Sequence, residues 1–401
     1  MLLEILIALT LGIITGCITG LTPGIHVNLV SIIVLSLSPV LLQYTSPIVL
    51  CVYIVALAIS QTFLDALPGI YLGAPDESQA LNVLPGHRLL LKGEGHNAII
   101  YNTGGALGAL VLGTALFPIF IYSMGAVSEF LSKIIGYLLI AIMIYMILRE
   151  KKKWLKALLA FLISGCLGLL VFNIPSLKQP LFPLLSGLFG YSILLLSLLQ
   201  KSKIPKQDLS KPLTMQKRNE IKSISAATGM GFIAAFLPGF GSSQAAIVAT
   251  NAVGDIGDEG FLSMVGGIST ANMLISIAAA YILNKARNGA IVVVNKLIEG
   301  IGFKEMLLFI AIALIAGGLG AIIALRTSKV FARYIVKVNY HKLIWGIIIF
   351  IAILTFFFDG FLGLAILAIS TAIGLIASSW GIGKNHLMGC LILPVILYFV
   401  L

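Results

Sequence analysis

Two apolar stretches of this chain are each interrupted by a Pro-Gly pair, at positions 215 residues apart (Pro23 and Pro238). Residues 16–24 read Gly-Cys-Ile-Thr-Gly-Leu-Thr-Pro-Gly, and residues 231–239 read Gly-Phe-Ile-Ala-Ala-Phe-Leu-Pro-Gly. Proline removes a backbone donor and clashes with the preceding turn, while glycine permits a sharp reversal, so no straight helix passes either point. The surrounding solvent decides what such a break means, and composition identifies it. Hydrophobic residues make up 59% of the 401 positions and charged residues 10%, too few charges to cover a soluble surface of this size. Apolar runs near bilayer length recur, for example at 157–172, 181–199 and 342–358. They are continuous rather than alternating, which points to helices and not to a barrel. The chain reads as an all-α polytopic protein of the cell membrane, and a membrane helix broken at matching places in two halves marks a transporter binding site.

The net charge of +11 does not indicate nucleic acid, because the basic residues gather in short loops between apolar spans. Three such stretches, 149–156, 200–223 and 326–342, are assigned to the cytoplasm. The organisation follows: a first transmembrane repeat over 1–199, a cytoplasmic basic linker over 200–223 and a second repeat over 224–401. Further landmarks support a repeat. Gly104-Gly105 matches Gly317-Gly318 at an offset of 213, and Tyr71 matches Tyr281 at 210. Counting spans from the basic loops starts the halves on opposite sides, so the repeats are expected to be inverted. One loop, 284–304, disagrees: it carries Lys285, Arg287 and Lys296 yet falls outside, unless it re-enters the membrane. The apolar segments 224–237 and 240–252 each span about 20 Å, less than the ~30 Å hydrocarbon core, as in a hairpin that dips in and returns. The four cysteines lie singly in apolar segments, and the N-terminus, with Glu4 and no basic region, reads as a retained helix.

The first break continues as Thr22-Pro23-Gly24-Ile25-His26-Val27-Asn28, and the second as Pro238-Gly239-Phe240-Gly241-Ser242-Ser243. A helix resuming after such a break aims unpaired N–H groups at it, and a helix N-terminus attracts anions. Thr22, Pro23, Gly24, His26, Asn28, Pro238, Gly239, Gly241, Ser242 and Ser243 are therefore expected to line one anion site near the midplane. Asp65 ends an apolar span, where an ionised carboxylate is costly, and is the candidate for coupling H⁺ or Na⁺. His87 and Arg88 are candidates to compensate substrate charge, since an arginine fork suits carboxylate or phosphate. Asn272 sits inside an apolar span, where its amide serves either substrate contact or helix packing. Asp76, Glu77, Asp255, Asp258 and Glu259 read as loop surface. No nucleotide-binding, metalloprotease or nucleophile-elbow motif is present, and the five histidines lack metal spacing, so neither catalysis nor a cofactor is expected.

Taken together, Gly-x-x-x-Gly-x-x-Pro-Gly at 16–24, Leu-Pro-Gly-x-x-x-Gly-Ala-Pro from residue 67, Leu-Pro-Gly-His-Arg-Leu-Leu-Leu-Lys-Gly-Glu-Gly at 84–95 and Phe-Leu-Pro-Gly-Phe-Gly at 236–241 resemble the large membrane subunit of tripartite tricarboxylate transporters, the TctA-like family. The resemblance implies movement of an organic anion such as citrate, driven by a cation gradient. It also implies two partners, a small membrane subunit and an extracytoplasmic binding protein.

The leading expectation is a secondary transporter of a di- or tricarboxylate-like anion, working by alternating access as one half-derived bundle moves against the other. The alternative is a translocase for a lipid-linked anion such as polyprenyl phosphate. An intramembrane enzyme would need paired acids in one cavity, and the span count puts Asp65 and Asp359 on opposite faces.

Overall fold

The computed structural model describes residues 1–23, 25–73, 77–199, 205–237, 241–284, 288–335 and 340–400. All regular structure among them is helical. The first half holds α1 (Leu2–Leu21), α2 (Val27–Leu41), α3 (Pro47–Leu64, continued by a π turn to Leu72), α4 (Val83–Leu91), α5 (Gly95–Ala115), α6 (Phe117–Arg149), α7 (Trp154–Phe172), α8 (Leu181–Leu185) and, after a second π turn, α9 (Ser192–Leu199). The second holds α10 (Lys217–Phe236), α11 (Ser242–Val253), α12 (Gly257–Leu283), α13 (Gly289–Leu297), α14 (Phe303–Tyr334), α15 (Tyr340–Trp380) and α16 (Gly389–Val400). Among the described residues seven helices are long and apolar enough to cross a bilayer, and the two arms of α6, bent 68° apart, make an eighth candidate.

Small residues set the packing. Water does not drive helices together inside lipid, so close backbone approach and dispersion must do it. On α1, Gly12, Gly16 and Gly20 form one stripe against α3. A Cβ there would lie 2.5 Å from the Tyr53 carbonyl oxygen, 2.5 Å from that of Leu57 and 2.9 Å from Leu64 Cβ. On α10, Ala227 meets Gly267, and Gly231 meets Ala271 and Asn272 of α12. Ala235, which stands where the first half has Gly20, is fully buried. Contacts advance together along both chains, so α1 runs parallel to α3, and α10 to α12.

The two halves interlock. Gly105 of α5 sits on the Ser263 carbonyl of α12, and Gly317 and Gly320 of α14 sit on Phe63 of α3. Where the two glycine pairs were matched, one member of each is packed (Gly105, Gly317) and a Cβ on the other (Gly104, Gly318) would meet nothing. The long central helices α3 and α12 are joined by Thr62 Oγ1 and Thr270 Oγ1, 2.9 Å apart. They cross antiparallel: the end of α3 and the start of α12 both lie against residues 86–101, through Ile70 on Gly86, Tyr71 on Gly95 and Asp258 on Arg88. At the same end Ser328 Oγ of α14 is 3.0 Å from Tyr71 Oη and 2.9 Å from His96 Nδ1.

Two bundles result. The inner one contains α1–α5 and α10–α14; the outer one packs α7–α9 against α15 and α16, with α6 alongside. Each draws helices from both halves. Glycine-tight contacts join the two halves to each other.

The linker is also strapped down. Gln207 Oε1 accepts from the Gly95 N–H that opens α5 (2.9 Å), Asp208 N–H donates to the Gly93 carbonyl (2.9 Å), and Lys211 pairs with Glu94 (2.5 Å). Its last residues, from Lys217, form the first turns of α10. The loop 284–304, within its described part, folds back into the protein. Ile291 and Val294 of α13 are fully buried, and the Val294 carbonyl lies 3.7 Å from Cys51 Sγ of α3. Of the loop's basic residues, Lys296 lies in the last turn of α13. The apolar run 342–358 and the segment after it are two helices within α15 that meet at a kink at Gly360, with φ +61°, a conformation side chains resist. Asp359, beside the kink, accepts the Lys178 and Gln179 N–H groups at 2.6 and 3.0 Å and so pins the α7–α8 loop.

Gly104→Leu should leave the melting temperature of the purified protein nearly unchanged, because its Cβ direction is open. Gly105→Leu, one residue on, should cost about 3 kcal/mol or abolish monodisperse protein, because the side chain would displace the Ser263 carbonyl. Size-exclusion profiles and thermal unfolding of the pair check this.

Candidate functional site

The first break is built from the end of α1 and the start of α2. Thr22 donates its hydroxyl to the Ile18 carbonyl (2.8 Å) and leaves the helix in an extended conformation. Pro23 is buried. His26 caps α2: its Nδ1 accepts from the Asn28 N–H at 3.2 Å, satisfying one of the open donors of a helix start. Asn28 is half-buried, and its Oδ1 has no hydrogen-bond partner among the described residues. It faces Gly289, the first residue of α13, where a Cβ would stand 2.6 Å from that oxygen.

The second break opens α11. Gly241 is its N-cap, with an extended backbone, and its N–H donates to Gln244 Oε1 at 3.0 Å. Ser242, Ser243 and Gln244 form a buried polar first turn inside an apolar protein. Gly24, Pro238 and Gly239 lie outside the described residues, as do Asp76, Lys285 and Arg287.

Both hairpins hang on the central crossing. Thr19 of α1 donates to Gln61 Oε1 (3.0 Å), next to Thr62, and Gly231 of α10 lies on Ala271, next to Thr270. Asp65 caps the C-terminus of α3 and is 3% exposed, and its backbone nitrogen lies 3.3 Å from the Cβ direction of Gly20, three residues before Pro23. The candidate coupling residue and the first break are thus neighbours. Asn272 lies on the face of α12 that meets α10, and its backbone carbonyl accepts from Ser276 Oγ (2.7 Å).

The structure does not bring Arg88 to the breaks. It pairs with Asp258 at 2.7 Å near the far end of α11, on the wall of a cavity between the bundles. Asp258, read as loop surface, is thus an ion-pair partner. His87 is buried in α4, and burial pushes its imidazole down to about 4, so it carries no charge to offer a substrate at neutral pH. Among the described residues no group of three or more His, Cys, Asp or Glu side chains could hold a metal ion.

Gln61, Thr62 and Thr270 form the crossing, Thr270 lying in the polar segment 269–272 that the sequence offers for hydrogen bonds across helices. Other polar residues of the interior escaped sequence reasoning. A second cluster joins Gln79 Oε1 to Asn82 Nδ2 (2.5 Å) and Asn102 Nδ2 (3.3 Å), with the Leu262 carbonyl accepting from Asn102 at 3.3 Å. Their only sequence signal is a lone amide or hydroxyl in an apolar run, which many packing residues share.

The model of the Tripartite tricarboxylate transporter TctA family matches residues 6–389. The chain is 30% identical over 404 residues to an uncharacterized protein of Methanocaldococcus jannaschii, covering 98% of this chain and 99% of that one. No solved structure matches.

Thr62→Val should destabilise the folded protein by about 1 kcal/mol, the scale of an interhelical hydrogen bond in lipid. The Thr62→Val/Thr270→Val double variant should lose less than the two single losses added together, because both singles remove one shared contact. Thermal unfolding of the four proteins in one detergent measures this coupling.

Proposed function

The chain belongs to the tripartite tricarboxylate transporter TctA family, and from that membership we propose that it is a secondary active transporter of a di- or tricarboxylate-like anion, coupled to a H⁺ or Na⁺ gradient. Family membership makes it a membrane component of a tricarboxylate transporter. The observation that carries the finer reading is that α2 and α11 both start inside the protein, beside Pro-Gly breaks, with Asn28 on one and Ser242 and Ser243 on the other. A buried helix start offers N–H groups and a positive dipole end to an anion. Unwound backbone of this kind survives in a bilayer only where protein or a watered cavity satisfies it.

The inverted-repeat reading is supported by the order of elements. A span, a break, a short helix, a buried central span, a nine-residue helix and a further span occur in α1–α5 and again in α10–α14. The antiparallel crossing of α3 and α12 supports opposite orientation. The returning helices have 15 and 12 residues, about 22 and 18 Å at 1.5 Å per residue, each more than half the ~30 Å core. Two hairpins of that length entering from opposite faces overlap in depth. Asp65, buried beside the first break, is the proposed coupling residue. Alternating access is proposed as motion of the outer bundle against the inner one, along the boundary that holds the inter-bundle cavities. A small membrane subunit and an extracytoplasmic binding protein are the proposed partners, as in tripartite systems.

Proteoliposome uptake of labelled citrate and succinate, by the chain alone and with any copurifying subunit, tests the proposal. Accumulation should require a proton or sodium gradient. Gly24→Leu and Gly239→Leu should reduce it at least tenfold. Asp65→Asn should remove gradient-driven accumulation while leaving exchange of substrate across the membrane. Uptake indifferent to both gradients would defeat the coupling claim, and a copurifying polyprenyl phosphate without carboxylate uptake would favour the lipid-linked alternative.

A further inference from the structure

At the end of the molecule where the basic loops gather, two adjoining cavities of about 650 and 430 Å³ open between the bundles. They share Leu81, Thr250 and Phe261 on the inner side and Arg149, Gly383 and Asn385 on the outer side. Three acids and three cations line these walls. Asp258 pairs with Arg88 at 2.7 Å, whereas Asp255 accepts from the Gly257 N–H at 3.0 Å, and Glu150 meets the Gly383 N–H and His386 Nε2, each at 3.1 Å. Burial works to raise the Glu150 carboxyl, but the Gly383 N–H and His386 outweigh it and hold it below the ordinary carboxylate range. Among the described residues neither Arg149 nor Lys384 forms a salt bridge; Lys384, 7% exposed, donates to Ser192 Oγ at 2.6 Å.

A buried ammonium with a single hydroxyl partner is expensive, and an anion in the adjoining space removes that cost. Glu150 fastens the 383–386 turn to the end of α6, which holds Lys384 and Arg149 on one wall. Opposite them α11 presents Thr250 and Asn251; the Thr250 hydroxyl donates to the Ala246 carbonyl (2.7 Å) and the Asn251 amide to the Ile247 carbonyl (2.8 Å), which leaves the second Asn251 N–H for a carboxylate oxygen. That face of α11 leads to the second break. Ile247 lies one turn back along it, and Ser243, another turn back, is fully buried, so about 6 Å of packed helix separates the cavity from the start of α11.

We propose that this inter-bundle cavity is a second anion site, which holds a di- or tricarboxylate between Lys384 and Arg149 on one bundle and α11 on the other, as the cytoplasmic staging point of the transport path. The staging role rests on the transporter reading; the binding site stands on its own residues. A ligand touching both bundles also ties occupancy to their separation. Arg149 and Lys384 provide two positive centres, so dianions and trianions should bind better than monoanions.

Isothermal titration of the full chain in lipid nanodiscs with citrate, succinate, acetate and inorganic phosphate tests this. Citrate or succinate should bind more tightly than acetate. Lys384→Met and Arg149→Gln should each weaken binding at least tenfold. Lys384→Met replaces a buried charge by an isosteric apolar chain; if it does not yield monodisperse protein, the exposed Arg149→Gln carries the test alone. Absence of carboxylate binding in the parent chain, or binding unchanged in the variants that fold, overturns the proposal. Phosphate outcompeting both carboxylates overturns the assigned ligand class. If binding behaves as expected but no variant or parent accumulates substrate, the cavity site stands and the transporter reading falls.

Discussion

Everything in this fold depends on how closely α1 can approach α3, and α10 approach α12. Inside a bilayer apolar side chains gain nothing by leaving lipid for protein, so helices associate where backbones can touch. The stripe Gly12, Gly16, Gly20 and its counterpart Ala227, Gly231, Ala235 meet that condition at equivalent positions before the two Pro-Gly pairs. They seat each hairpin on a central helix, and the Thr62–Thr270 contact joins the two central helices. A bulky residue in either stripe would move a break, and with it the polar groups the break presents.

The same economy of small residues explains why the halves are not independent bodies. Gly105 on Ser263 and Gly317 on Phe63 lock α5 to α12 and α14 to α3. Tight packing of this kind transmits displacement instead of absorbing it. Cavities and charged side chains line the boundary between the inner and outer bundles.

Polar groups are placed by structural need in some positions and left available in others. Asp359 spends its carboxylate on the Lys178 and Gln179 N–H groups, and His26 spends its ring nitrogen on capping α2. Among the described residues Asn28 Oδ1 has no hydrogen-bond partner, and the ammonium of Lys384 has only Ser192 Oγ. Buried polar groups so placed inside a membrane protein are costly.

The amino-acid sequence by itself determined that the chain is helical and spans the membrane, because composition and run length leave no other way to satisfy the backbone in lipid. It also located both breaks and Asp65, since proline, glycine and an intramembrane acid act through their own covalent chemistry, whatever surrounds them. Which spans touch was decided only by the tertiary structure. The pairing of Arg88 with Asp258, the buried short helix within 289–297 and the placing of Lys384 against Ser192 beside a cavity gave no signal in the sequence. The reason is physical: the charge balance of a buried site is a sum over residues hundreds of positions apart, and no local pattern along the chain encodes that sum.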